Sequence, residues 1–159
     1  MSITVRDLMI PAQALPDNAT IGDAVKAFAE KRVGGFPLVH NDEVVAYVSD
    51  GDIIHYILKN VKRENRRLSD IRAWYQVDCF NQYIEHVVED EVFNCATRRV
   101  YTVEADMTVR EAAEIMNRRN LKHVPVVEKY KLVGILSRSS LIHGLFKDYV
   151  DNPNAACIE

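Results

Sequence analysis

A chain of 159 residues, 48% of them hydrophobic, can fill one compact core or two small ones that share it. Its 20 basic and 23 acidic residues leave a formal charge of −3, a balance that argues against nucleic acid or an anionic membrane as partner. No run approaches the roughly 18 apolar residues that span a bilayer, and no basic segment followed by an apolar run opens the chain, so a cytoplasmic location is expected.

The elements come in two copies. A shift of 88 positions aligns residues 20–59 with 108–147 without a gap and gives nine identities, against roughly two or three from composition alone. They are Thr20/Thr108, Ala24/Ala112, Pro37/Pro125, Val39/Val127, Val45/Val133, Ser49/Ser137, Ile54/Ile142, His55/His143 and Lys59/Lys147. In the first copy an extended piece at Ala14-Leu15-Pro16 precedes Thr20, which reads as a helix N-cap with Asp23 at the capping-box position. Ile21, Ala24, Val25 and Phe28 follow at helical spacing and predict one buried face. Apolar runs at 36–39 and 44–48 predict a hairpin, and a helix over 53–59 closes the copy.

Residues 60–91 belong to neither copy. They start basic (Lys62, Arg63, Arg66, Arg67) and end acidic (Glu85, Glu89, Asp90, Glu91). Trp74, Val77, Tyr83, Ile84, Val87 and Val88 are spaced to share a helical face, which predicts a helix that straps the repeat core. The second copy repeats the plan: an extended piece at Val100-Tyr101-Thr102-Val103, Thr108 and Glu111 as the cap, a helix face of Val109, Ala112, Ala113 and Met116, a hairpin over 124–127 and 132–136, and a closing helix over 141–147. The expected division is therefore 1–59 and 92–150 for the two motifs, 60–91 for the linker and 151–159 for a mobile tail. Each β-α-β-β-α copy of about 50 residues is marginal alone, so the two are expected to pack together. Cys79, Cys95 and Cys157 form no CxxC pattern and read as inert thiols, not a metal site.

Three groups of residues, in this order, resemble the CBS-domain pair, or Bateman module: Asp7-Leu8-Met9-Ile10-Pro11 before the first copy, Phe36-Pro37-Leu38-Val39 and His123-Val124-Pro125-Val126-Val127 in the middle of each, and Tyr47-Val48-Ser49-Asp50-Gly51-Asp52-Ile53-Ile54 near the end. The resemblance covers nearly all of residues 2–147. It implies an α+β fold of two βαββα repeats packed with pseudo-two-fold symmetry, two clefts that take adenosyl ligands, and often a disc-shaped homodimer.

A cleft for such a ligand needs a carboxylate for the ribose hydroxyls, hydroxyl and N–H donors for phosphate, and apolar walls for the base. By resemblance, Asp52 is the expected ribose contact, Ser49 faces phosphate, Gly51 allows close backbone approach and Tyr47 lines the base pocket. The bland alternative is that Ser49 and Asp52 merely cap the helix that follows. Gly34-Gly35 marks either close approach of a ligand or a sharp turn. Pseudo-symmetric packing would complete this cleft with Thr97, Val100, Tyr101, Leu121 and Lys122, Lys122 offsetting phosphate charge; Arg98 and Arg99 are further candidates or solvated loop residues. The second cleft would hold Ser137, Arg138, Ser139, Ser140 and His123. With Ser140 where the carboxylate should stand, it is expected to be empty, weaker or tuned to phosphate. His55 and His143 read as structural.

The expected function is a non-catalytic regulatory module, an energy or metabolite sensor that binds AMP, ADP, ATP or S-adenosylmethionine and acts on a partner protein. The alternative is a ligand-free dimerisation or docking module. No nucleophile–base set, metal cluster, P-loop or Rossmann fingerprint is present in the sequence, so neither catalysis nor a catalytic cofactor is expected.

Overall fold

The computed structural model describes residues 3–67 and 76–151. In chain order the elements are α1 (Val5–Leu8), β1 (Ile10–Pro11), β2 (Leu15–Pro16), α2 (Ile21–Lys31), β3 (Gly35–His40), β4 (Glu43–Ser49), α3 (Asp50–Arg67), α4 (Gln76–Val87), a 3-10 turn (Val92–Asn94), β5 (Val103–Glu104), α5 (Val109–Arg118), β6 (His123–Glu128), β7 (Lys131–Ser137), α6 (Arg138–Leu145) and α7 (Lys147–Asp151). This is the mixed α+β plan of two βαββα repeats.

Each repeat starts from its cap. The Asp23 N–H donates to Thr20 Oγ1 at 3.1 Å, and the Asp23 carboxylate accepts from the Thr20 N–H at 3.0 Å. Thr108 and Glu111 form the same box, so two otherwise orphaned donors are satisfied at the start of each helix. Ile21 and Ala24 in α2, and Val109, Ala112 and Met116 in α5, are buried. Phe28 stacks on Phe36 with ring centroids 5.5 Å apart. Val25, expected on the buried face, is exposed; the inward stripe of α2 runs through Ile21, Ala24 and half-buried Phe28 at i, i+3 and i+7.

Both hairpins turn through two residues in the left-handed region, Asn41-Asp42 (φ 50 and 66) and Lys129-Tyr130 (φ 48 and 69). This turn twists in the sense of the flanking strands. The register then shifts at equivalent points, Leu38/Val39 and Val126/Val127. Leu38 and Val48 in one hairpin, and Val126 and Leu136 in the other, have no accessible surface.

The chain divides into two compact units, Ala14–Val100 and Met1–Gln13 with Tyr101–Glu159. The segment leading into each repeat is thus built into the unit of the other. In one unit Val5 N–H donates to Met107 O at 2.9 Å and Val109 N–H to Ile3 O at 3.1 Å. In the other, Val92 N–H donates to Ala19 O at 2.9 Å and Ile21 N–H to Asp90 O at 2.8 Å. These are the same two bonds in each unit: Val5 and Val92, both fully buried, hold equivalent places.

Several expected boundaries move. The closing helices begin three residues earlier than the apolar pattern suggests, at Asp50 and Arg138, because the serine before each one caps it. The first helix runs on to Arg67, and the second stops at Leu145 before α7. The extended piece expected over 100–103 is strand only at Val103–Glu104. The linker helix is seen as α4, which ends at Val87 and leaves Val88 in a turn. Trp74 and residues 152–159 of the expected tail lie outside the described residues.

Candidate functional site

The first repeat brings Tyr47, Ser49, Gly51 and Asp52 together where β4 runs into α3. Asp52 Oδ2 accepts from the Ser49 N–H at 2.9 Å, and the Asp52 N–H donates to Ser49 Oγ at 3.1 Å. The pair is a capping box, so the bland reading of these residues describes what they do in the folded chain. No further hydrogen bond engages Asp52 Oδ1 among the described residues. Gly51 lies in the first turn, where a Cβ would meet only Ser49 Oγ at 3.7 Å, and the backbone there is open to approach. Asp50 N–H donates to Gly34 O at 3.0 Å, which ties the β3 entry to the same corner.

Thr97 is joined to Tyr47 through the backbone. Its N–H donates to Tyr47 O at 2.8 Å and its carbonyl accepts from Tyr47 N–H at 2.9 Å, a two-bond antiparallel bridge. Burial, then the charges of Asp52 and Asp50, push the Tyr47 phenol up to about 12. The ring stands over Gly35, and the Asp50 carboxylate stands beside Gly34.

Gly34 stands at the bend that leads into β3, the turn alternative of the sequence reading. No glycine among the described residues has positive φ, and the left-handed residue ending α2 is Arg32 at φ 51. A Cβ on Gly35 would stand 2.7 Å from the Tyr47 ring, and one on Gly34 would stand 3.2 Å from the Asp50 carboxylate. The two glycines make room for the chain's own side chains.

Val100 is half-buried at the end of the same unit. Tyr101, Leu121 and Lys122 belong to the other unit. There the Arg119 guanidinium lies over the Tyr101 ring at 4.7 Å. Leu121 O accepts from Arg138 Nε at 2.8 Å, and Lys122 O accepts from Arg138 N–H at 3.0 Å. Arg98 stacks on Phe93 at 4.8 Å; Arg99 is exposed.

The second repeat builds its corner from serines. Ser137 N–H donates to Ser140 Oγ at 3.0 Å, Ser140 N–H to Ser137 Oγ at 3.0 Å, and the Ser137 and Ser139 hydroxyls are 2.9 Å apart. Ser140 thus reproduces the capping half of Asp52 without a charge. Arg138 also reaches Asn120 Oδ1 at 2.8 Å, which holds its guanidinium on the preceding loop. Burial, then Lys122, holds His123 below the usual histidine range.

Three residues near Asp52 were not signalled by the sequence pattern. Cys95 donates its thiol to Val92 O at 3.1 Å, and burial, then Asp52, push that thiol up to about 11, in keeping with an inert cysteine. Tyr56 lies one turn beyond Asp52 on α3 and donates to Asp90 Oδ2 at 3.0 Å. The i,i+4 spacing from Asp52 was the available sign for Tyr56; nothing in the sequence pointed to Asp90. Among the described residues there is no His/Cys/Asp/Glu group able to hold a metal ion.

Comparison with known proteins bears on this geometry. An uncharacterized protein of Methanocaldococcus jannaschii, MJ1426, is 27% identical over 152 residues, covering 89% of this chain and 90% of its own. The crystal structure of CBSX2, a CBS-pair protein from Arabidopsis thaliana, superposes with a TM-score of 0.71 at 21% identity, covering 94% of this chain and 99% of that one; CBSX2 has also been solved in complex with AMP. The CBS domain pair of protein MJ0100, in complex with 5′-methylthioadenosine and S-adenosyl-L-methionine, superposes with a TM-score of 0.67 at 22% identity over 93% of this chain and 98% of its own. The CBS domain model matches residues 5–59 and 88–147, and with both repeats matched the chain belongs to the CBS domain family.

Proposed function

We propose that this chain is a non-catalytic regulatory module that binds an adenosyl ligand, of the AMP, ADP, ATP or S-adenosylmethionine class, at the corner formed by Asp52, Ser49, Gly51, Tyr47 and Thr97. The observation that carries the reading is the Asp52 carboxylate, anchored through Oδ2 at the start of an 18-residue helix with Oδ1 left to accept from a ribose hydroxyl. Val100 of the same unit is the proposed remainder of this corner, and Gly34 and Gly35 support it indirectly by seating Tyr47 and Asp50. Two CBS pairs of the same fold are described with adenosyl ligands, which supports the class. The Ser137, Arg138, Ser139, Ser140 and His123 corner is the proposed weaker site, since it has no carboxylate for a ribose.

A homodimer and a regulated protein partner belong to the same proposal. Exposed apolar residues at positions related by the 88-residue offset, Ile54/Ile142 and Leu58/Phe146, support association through the closing helices. No helix among the described residues is long and apolar enough to cross a membrane. The second reading, a ligand-free docking module, is favoured by the capping box itself, which accounts for Ser49 and Asp52 without any ligand.

Calorimetric titration of wild type and Asp52→Ser with AMP, ATP, S-adenosylmethionine and 5′-methylthioadenosine separates the two. The serine copies the Ser137/Ser140 cap and removes only the carboxylate. Binding weakened by about 1.5–3 kcal/mol for every adenosyl ligand supports the site. Absence of heat with any of them in wild type supports the docking module.

A further inference from the structure

The Tyr56 hydroxyl ties α3 to the loop after α4, at 3.0 Å from Asp90 Oδ2. That loop is fixed on its other side, because Asp90 O accepts from Ile21 N–H at 2.8 Å and Asp90 N–H donates to Val87 O at 3.1 Å. From there the chain is short and tightly bonded. Val92 N–H reaches Ala19 O at 2.9 Å, Cys95 N–H reaches Val92 O at 3.1 Å, and Thr97 then bridges Tyr47. Asp90 is thus joined to the edge of the Asp52 corner by a stretch of seven residues, most of it hydrogen-bonded.

The second repeat has no such tie. The position matching Tyr56 is Gly144 and the one matching Asp90 is Ile3. There Leu8, which matches Cys95, packs directly over Gly144, where a Cβ would collide with it. Packing of a lead-in segment on its helix therefore works without a hydroxyl–carboxylate pair. The polar pair occurs in the repeat that carries the acidic corner, and burial with the Asp90 hydrogen bond pushes the Tyr56 phenol up to about 12, so the hydroxyl stays a donor at neutral pH.

We propose that the Tyr56–Asp90 hydrogen bond is a latch that positions the 95–97 edge of the Asp52 site, making Tyr56 and Asp90 positioning residues for ligand binding there. Its functional part rests on the adenosyl-site reading; the coupling from latch to edge does not. The latch also joins the end of the 60–91 segment to that site, which gives this insertion a route to influence ligand affinity.

The variants are Tyr56→Phe, Asp90→Ala and Asp90→Asn, the last keeping a carbonyl oxygen that accepts from Tyr56. Amide hydrogen exchange is read at Tyr47 and Thr97 and compared with the Leu38 and Val48 amides of the same unit, alongside calorimetry with AMP and S-adenosylmethionine. In Tyr56→Phe and Asp90→Ala, exchange at Tyr47 and Thr97 should rise about three- to tenfold over the reference amides, and affinity should fall by a similar factor, as loss of one part-buried hydrogen bond allows. Asp90→Asn should stay near wild type in both. Unchanged exchange at Thr97 in Tyr56→Phe, or a uniform rise at all four amides, would overturn the latch. Exchange that rises locally in the two variants while wild type binds neither ligand would uphold the coupling and sink the site reading.

Discussion

The ring of Tyr47 lies across Gly35, its Cε1 and hydroxyl oxygen each 2.7 Å from where a Cβ on that glycine would stand. The two residues are diagonal neighbours on the β3–β4 hairpin, since Pro37 is the register partner of Tyr47. The second repeat puts His123 and Ile135 at these positions, a larger residue opposite a smaller one. Gly35→Ala is therefore expected to cost about 1–3 kcal/mol through overpacking. Gly35→Ala with Tyr47→Ile should recover most of it. Urea unfolding of the two variants decides the matter: a double variant no more stable than the single one would mean the strain lies elsewhere.

Ser49 and Ser137 cap equivalent helices but stand in different surroundings. Ser137 is buried, and its hydroxyl serves both the Ser140 N–H and Ser139. Ser49 is only half-buried and serves the Asp52 N–H. Ser49→Ala should cost about 0.5–2 kcal/mol, the ordinary value of an N-cap. Ser137→Ala should cost more, because it also strands a partner that water reaches poorly. Thermal and chemical unfolding would rank them, and the reverse order would contradict the burial argument.

The sequence made some levels of this structure visible and hid others, for physical reasons. Hairpins and caps are local: the short apolar runs at 36–39 and 44–48, and Thr20 three residues ahead of Asp23, specify their own geometry. The Ser49/Asp52 capping role was equally legible, as one of two readings. The start of α3 was missed because apolar spacing marks the buried face of a helix while its polar cap sets the first turn. The exchange of lead-in segments was invisible because Val5 and Val92 are offset by 87 positions rather than 88, and the residues around them differ. Gly34 and Gly35 announced the bend into β3 but not which side chains stand over them, because Tyr47 and Asp50 lie a dozen or more positions away.

That exchange can be tested at Gly144, over which Leu8 of α1 is packed so closely that any Cβ would overlap its side chain. Gly134 is similarly covered, with Met9 Sδ 2.6 Å from its would-be Cβ. Gly144→Ala should destabilise the protein by about 1–3 kcal/mol beyond any gain from better helix propensity. Pairing it with Leu8→Ala should make the two changes non-additive, the double variant being more stable than the sum of the singles implies. Simple additivity in a double-mutant cycle would show that α1 does not pack on α6 in solution.

Acid stability should report the capping boxes. Hydrogen bonds from the backbone and then the side chain of Thr4 and Thr20 hold Asp7 and Asp23 below the ordinary 3.8, and those from the side chain and then the backbone of Thr108 hold Glu111 below 4.5. A carboxyl group whose pKa is lower folded than unfolded binds fewer protons in the folded state throughout the acid range. Its contribution is therefore complete above the unfolded value and lost as pH falls through the folded one. Stability should begin to fall near pH 4.5 and continue to fall below 3.8. The variant Asp7→Asn, Asp23→Asn, Glu111→Gln keeps an acceptor at each site but no charge, so it should be less stable than wild type at pH 7 and converge with it as the acid limb is descended. His123 adds a separate step, because its lowered pKa makes the folded state favour the neutral ring, and that contribution declines as pH drops below 6.5. Thermal melts from pH 8 to pH 2.5 follow both steps. A gap between the two proteins that stays constant over the whole acid range would show that these carboxylates cap their helices no better charged than neutral.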